Sequence, residues 1–190
     1  MAIKIIMAKL SSAANRELVV HRHLDFIGCD DHPGYNHVLR LLHEFYVDGP
    51  NGTHLCIVSH VLGPNAASIA DAYPNHRLGE RLVRSVSRQL LFAVGYLHEA
   101  GIVHGDIHPR NVLFRLPEID EMDLTLEIAE EFFGALVVKA TGQCGPDSSA
   151  PAYLISPGRF NRANPRSFHK VQLINLGECT ESQTLCIVLF

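Results

Sequence analysis

Three features are scarce or missing in this sequence, and each absence excludes a class of protein. No apolar run reaches about 18 residues, so the sequence predicts no membrane-spanning helix. The five cysteines include no C-x-x-C pair, which argues against a zinc site or a disulfide framework. A reducing compartment, cytoplasmic or nuclear, is therefore expected. The net charge is only -4, so bulk electrostatics give no reason to expect direct binding to nucleic acid.

What is present indicates a globular chain that begins with a small sheet. The 190 residues are 47% hydrophobic and 19% charged, which is typical of a folded domain. Ser11 and Ser12 are candidate caps for the first helix. The patterns predict the following elements in order: a strand over 2–7, a helix over 13–24, extended chain over 38–42 and 44–47, a turn at 48–52 and a buried strand over 55–58.

A long amphipathic helix is the clearest element of the second part, which opens at residues 64–65. Apolar residues recur at a helical period from about residue 80 to residue 99, and Gly101 supplies the stop signal. The stripe consists of Leu82, Val86, Leu90, Val94 and Leu97. Residues 116–133 are acidic and predict a solvated helix face, whereas residues 141–168 read as a surface insertion. A short strand is expected over 171–174.

The loop after the long helix carries the strongest chemical signal. It reads His-Gly-Asp-Ile-His-Pro-Arg-Asn from His104 to Asn111 and fits the pattern H-x-D-x-x-x-x-N. In phosphotransferases the carboxylate of such a loop accepts the proton of an attacking hydroxyl, while the amide oxygen holds a magnesium ion. Asp106 and Asn111 are the candidates for these two functions.

Three further segments, taken in order with this loop, resemble the eukaryotic protein kinases. Residues 2–4, Ala-Ile-Lys, resemble the end of V-A-I-K, and Glu17 follows on a helix. Residues 175–177, Asn-Leu-Gly, stand where D-F-G or D-L-G would stand. More narrowly, the chain resembles the SR-protein kinases in a divergent form common in fungi, through the segments 51–58, 61–63 and 150–157. The resemblance covers residues 2–178.

The resemblance implies ATP and Mg²⁺ as cofactors, and it implies a role for each site residue. Lys4 would bind the α- and β-phosphates and would be held by Glu17, and residues around His60–Leu62 would meet adenine through backbone groups. The implied substrate is serine or threonine in a protein, of an Arg-Ser-rich class.

In the catalytic loop the resemblance makes Asp106 the proton acceptor and Asn111 a magnesium ligand. His108 replaces the usual lysine and could donate to the γ-phosphate only when protonated. Gly105 replaces an arginine that often anchors a phosphorylated activation loop. Asn175 replaces an aspartate, and a neutral amide is a poorer magnesium ligand than a carboxylate, so we expect a weakened metal site and impaired transfer.

The expected fold is α+β, a truncated bilobal kinase-like fold. A partial β-rich small lobe with one helix would cover residues 1–62, and a partial α-helical large lobe would cover residues 63–190, with an insertion at about 115–170. No glycine-rich loop precedes the lysine strand and no A-P-E segment follows, so truncation at both ends is expected.

Other readings of the same residues remain open. The chain could be a non-catalytic pseudokinase or interaction fragment, a gene-model fragment that does not fold alone, or a small-molecule phosphotransferase of the aminoglycoside or choline type. For that last type H-G-D-x-x-x-x-N is the usual spelling. His104 and His108, four positions apart, could bind a metal on a helix, but Pro109 favours a loop. His21 and His23 would point to different helix faces, and we expect both to be solvated.

Overall fold

The computed structural model describes residues 1–116, 138–140, 153–155 and 170–181. The expectations for the acidic segment over 117–133 and for most of the insertion therefore lie outside the described residues. Within the described part the chain is a mixed α and β structure whose sheets are antiparallel.

The small sheet that the sequence predicts is present, with three strands in the order β1-β3-β2. The strands are β1 (Ala2–Ile5), β2 (His43–Gly49) and β3 (Gly52–Ser59), and a two-residue turn joins β2 to β3. In the stretch predicted as extended over 38–42, Val38 has extended dihedrals and forms an isolated parallel bridge with Leu173, and the regular strand β2 begins at His43.

The first helix begins later than its serines suggest. Helix α1 spans Arg16–Ile27, and the side chain of Asn15 caps it by accepting the backbone N–H of Leu18 at 3.2 Å. The Ser11 hydroxyl does not cap, since it donates instead to the carbonyls of Ile6 and Met7 at 3.1 and 2.9 Å. The predicted cap at Ser11 or Ser12 was therefore wrong.

Among the described residues, the second part contains two α-helices and the remaining strands. Helices α2 (Ala66–Ala72) and α3 (Glu80–Glu99) lie beside a three-stranded sheet in the order β4-β6-β9. The other strands are β4 (Leu62–Asn65), β5 (Ile102–Val103), β6 (Val112–Arg115), β7 (Val138–Ala140), β8 (Tyr153–Ile155), β9 (Val171–Leu173) and β10 (Thr180–Glu181). In the remaining pairs β5 meets β10 and β7 meets β8.

The buried face of α3 differs from the predicted apolar stripe in one informative way. Val86 and Leu97 are buried as expected, but so is Gln89, which a hydrophobic pattern cannot include. The Gln89 amide oxygen accepts the N–H of Val171 at 2.9 Å, and its amide nitrogen donates to the Ser85 carbonyl at 3.2 Å. Gln89 therefore pairs the Val171 N–H between α3 and β9, where an apolar side chain would leave it without this acceptor.

Two clusters of buried side chains meet at α1. The smaller cluster consists of Ile6, Leu18, Leu55 and Ile57. The larger one is built around α3, β6 and β9, and it includes Val20 and Leu24 of α1 together with Val38. One helix thus contributes to both clusters, which fixes its position between the small sheet and the second part. The predicted boundary at residue 62 stays a prediction.

Close approach of a loop to α3 makes a glycine necessary at position 34. A Cβ atom built on Gly34 would lie 1.9 Å from the Phe92 carbonyl oxygen. We expect Gly34→Ala to lower the free energy of unfolding by about 2–3 kcal/mol, because backbone atoms must move to admit the methyl group. Urea denaturation measures this change.

Gly95→Ala is the matched control on the same helix. Its Cβ would come no closer than 3.8 Å to the His32 ring. The change should stabilise the protein by about 0.5–1 kcal/mol, since alanine is the better helix former. Equal stability of the two variants would mean that residue 34 does not lie this close to α3.

No helix among the described residues is both long enough and apolar enough to span a membrane.

Candidate functional site

Lys4 of β1 and Glu17 of α1 form an ion pair. The Lys4 ammonium lies 2.9 Å from Glu17 Oε1 and 2.7 Å from Oε2. The Glu17 side chain is only 9% exposed, whereas that of Lys4 is 49% exposed. Glu17 lies in the first turn of α1, where the helix dipole favours a carboxylate. The pair therefore fixes the ammonium between the small sheet and α1.

Asn175 is the third group at this ammonium. Its Oδ1 lies 3.4 Å from Lys4 Nζ, although 171 positions separate the two residues in the sequence. Asn175 has a left-handed backbone, with φ 68° and ψ 62°, which asparagine and aspartate tolerate better than most residues. The structure thus brings together three residues that the sequence placed on three separate elements.

Asp106 and Asn111 are joined directly within the loop between β5 and β6. Asn111 is buried at the end of the 3-10 turn Pro109–Asn111, and its amide nitrogen donates to the Asp106 carbonyl at 3.0 Å and to Asp106 Oδ2 at 3.1 Å. The Asn111 carbonyl accepts the N–H of Ile174 at 2.9 Å. The catalytic-loop candidates are therefore tied to the residue that precedes Asn175.

His104 is a second tie between the same two segments. It is 2% exposed, and its Nε2 donates to the Ile174 carbonyl at 3.0 Å while its Nδ1 accepts the Asp106 N–H at 3.2 Å. Burial is the main cause that lowers the pKa of the His104 imidazole. His104 is thus a neutral positioning group rather than a metal ligand.

One ring nitrogen of His108 is hydrogen-bonded to the backbone of the loop. Its Nδ1 accepts the Arg110 N–H at 3.1 Å, so the ring proton lies on Nε2, which is 3.5 Å from Asp106 Oδ2. Asn111 contacts the same carboxylate oxygen. In this arrangement His108 faces Asp106, and its predicted contact with a γ-phosphate stays a prediction.

Backbone conformation and a close contact both require a glycine at position 105. Its φ is +81°, and a Cβ atom there would lie 2.6 Å from the Glu178 carbonyl oxygen. Only glycine allows both this backbone conformation and this approach. From the sequence alone, Gly105 was noted only as a replacement for an arginine. The structure shows that the loop lies against the backbone of Glu178, which explains why the residue is glycine.

The predicted adenine contact falls at the connection between two sheets. β3 ends at Ser59 and β4 begins at Leu62, which pairs with Arg115 of β6. The side chain of Leu62 is partly buried. Its role in binding a nucleotide stays a prediction.

A cavity of about 600 Å³ lies beside the Lys4 ammonium, between β1, α1 and the segment that follows Asn175. Its charged lining residues are Lys4, Lys9, Arg16, Glu17 and Glu178. Because Glu17 is already paired with Lys4, the remaining lining charges are two cations and one carboxylate. The cavity therefore favours an anion over a cation.

His21 contradicts the expectation that both helix histidines are solvated. It is 4% exposed, and burial, followed by the positive charges of Arg40 and Lys4, lowers its pKa to about 4. His23 is exposed, and its Nε2 lies 2.9 Å from the Ala100 carbonyl. The spacing of the two histidines predicted correctly that they lie on different faces of α1. It could not predict that the face with His21 is buried.

The residues present do not fit a tightly held Mg²⁺. The amide oxygens of Asn111 and Asn175 are neutral, the Asn175 oxygen already faces Lys4, and one oxygen of the nearby Asp106 carboxylate accepts a hydrogen bond. Magnesium prefers carboxylate and phosphate oxygens. No cluster of three His, Cys, Asp or Glu side chains suited to a metal exists in the described part of the chain.

Sequence comparison shows which known proteins the chain resembles. No protein-family model matches the chain. The protein kinase dsk1 of Schizosaccharomyces pombe is 42% identical over 87 residues, 45% of this chain and 16% of the relative. The serine/threonine-protein kinase SKY1 of Saccharomyces cerevisiae is 38% identical over 92 residues, 48% of this chain and 12% of the relative.

A third relative matches more of the chain. The serine/threonine-protein kinase spk-1 of Caenorhabditis elegans is 43% identical over 131 residues, which are 67% of this chain and 12% of the relative. The chain thus spans less than a fifth of the length of each of these three relatives. The similarity confirms the resemblance that the motifs indicated: over about half to two thirds of its length the chain is similar to serine/threonine protein kinases of the SR-protein kinase type.

Proposed function

We propose that the chain carries the ATP-binding and proton-accepting part of a serine/threonine protein kinase site, and that phosphoryl transfer by this site is impaired. The supporting observation is a continuous set of contacts across the four motif segments. Lys4 meets Glu17 and Asn175, the neighbouring Ile174 donates to Asn111, and Asn111 donates to Asp106. Residues scattered over the whole sequence thus converge on one place.

Each side chain then has a chemical task. The Lys4 ammonium, held by Glu17, binds phosphate oxygens of ATP, and backbone groups near Leu62 meet adenine. The Asp106 carboxylate orients the hydroxyl of a protein serine or threonine and accepts its proton. Asn111 holds Asp106 in place through its amide hydrogens.

Asn175 is the reason for the impairment. It provides a neutral amide where the kinase motif has a carboxylate, so the developing charge of the transferred phosphoryl group lacks a compensating metal. In the same proposal the chain is bilobal, with a small lobe over 1–62 and a large lobe over 63–190, and ATP lies between the lobes. The implied protein substrate is rich in Arg-Ser, as for SR-protein kinases.

Transfer of labelled phosphate from ATP tests this function, with Asn175→Asp as the sensitised variant. Aspartate tolerates the left-handed backbone at this position, so the change adds a charge without strain. We expect this variant to label an Arg-Ser peptide at least about tenfold faster than the unaltered chain, and Asp106→Asn in the same background to abolish labelling.

The substrate class decides between this proposal and its main rival. Choline and an aminoglycoside serve as alternative acceptors in the same assay. Labelling of either small molecule, with none on the peptide, would overturn the protein-kinase proposal in favour of a small-molecule phosphotransferase.

A further inference from the structure

We propose that ATP binds this site as the free anion, without a divalent cation. The inference rests on the proposed function and concerns the ligand of that same site. The electrostatics of three positions carry it: Lys4, Asn175 and Asp106.

The first step is the hydrogen-bonding capacity of Lys4. An ammonium group has three donor hydrogens, and three oxygens surround this one: Glu17 Oε1 at 2.9 Å, Glu17 Oε2 at 2.7 Å and Asn175 Oδ1 at 3.4 Å. The longest and weakest contact is the one to the neutral amide. A phosphate oxygen can replace Asn175 at this ammonium while the charged pair with Glu17 stays intact. The N–H group of Lys4 that now faces Asn175 is therefore the donor that an anion would bind.

The second step is the balance of charge around that donor. Glu17 is neutralised by Lys4, and the cavity beside the pair has Lys9 and Arg16 against Glu178. A carboxylate at position 175 would repel a free triphosphate and would need a bridging cation between the two anions. The amide of Asn175 removes this repulsion together with the reason for the cation.

The third step is the state of the Asp106 carboxylate. Asn111 donates to its Oδ2 at 3.1 Å, and the His108 Nε2 lies 3.5 Å from the same oxygen. Both neighbours have N–H groups that belong to the loop itself. The carboxylate thus has partners without a metal ion.

Isothermal titration of the 190-residue chain with ATP, once in EDTA and once in excess magnesium chloride, tests the inference. We expect the unaltered chain to bind ATP in EDTA at least as tightly as in magnesium. Asn175→Asp should weaken binding in EDTA by at least about tenfold and make binding depend on magnesium. Thermal unfolding without ligand checks that each variant is folded.

Asn51→Asp is the matched control, since it adds the same charge at the exposed turn between β2 and β3. It should leave both affinities unchanged. Binding of ATP by the unaltered chain in magnesium but not in EDTA would overturn the inference and leave the proposed function standing. No binding in either buffer would overturn the proposed function itself.

Discussion

Lys4→Met should weaken ATP binding strongly and also destabilise the fold. We expect the affinity for ATP to fall by about a hundredfold, because the ammonium is the charged group that phosphate oxygens would meet in this site. The free energy of unfolding should fall by about 2 kcal/mol, since Glu17 is 9% exposed and would lose its only ionic partner among the described residues. The half-exposed Lys4 makes this loss smaller than for a fully buried pair. Calorimetric titration with ATP and urea denaturation measure the two effects.

A second substitution separates these two effects. Lys4→Met combined with Glu17→Gln should recover most of the lost stability, because no unpaired buried carboxylate remains, but it should not recover ATP binding. Lys170→Met removes an exposed lysine that precedes β9 and should change neither quantity. ATP affinity of Lys4→Met equal to that of the unaltered chain would place the nucleotide elsewhere.

Local signals in the sequence were sufficient where one element decides its own structure. Helix α3 spans Glu80–Glu99 as its apolar period predicts, and the turn between β2 and β3 follows from Pro50 and Asn51 between two glycines. The start of α1 was predicted wrongly for a non-local reason. Both Ser11 and Asn15 are good caps, and the choice between them depends on where the carbonyls of the preceding segment lie.

The candidate site shows the same division. The order of the motifs predicted a set of candidate site residues, and the structure brings three of them, Lys4, Glu17 and Asn175, together. The hydrogen bond of His108 Nδ1 depends on the local shape of the loop. The need for glycine at position 105 depends on the distance to Glu178, which is remote in sequence. A motif specifies residue types and spacing. The distances between remote segments, such as that from Gly105 to Glu178, arise only when the chain folds.

Acid should destabilise this protein through His21, the buried histidine that the sequence reading placed in solvent. In the unfolded chain His21 titrates near its ordinary pKa of 6.5, whereas in the folded state burial, Arg40 and Lys4 lower the pKa to about 4. Between these values the unfolded state binds the proton and the folded state does not, so stability falls as the pH falls. The contribution is fully present above pH 6.5. By pH 4 about 3 kcal/mol should be lost, at 1.36 kcal/mol for each pKa unit.

His21→Leu should remove this part of the pH dependence. The chain has 12 histidines, so the slope of the unaltered protein alone identifies none of them, and the comparison between variants decides. Urea denaturation at several pH values from 7 to 4.5 gives the free energy of unfolding, and we expect a visibly shallower decline for His21→Leu. His23→Leu, on the exposed side of α1, should decline as steeply as the unaltered chain. Equal slopes for the two variants would mean that His21 is accessible to protons in the folded state, and that this face of α1 is not buried.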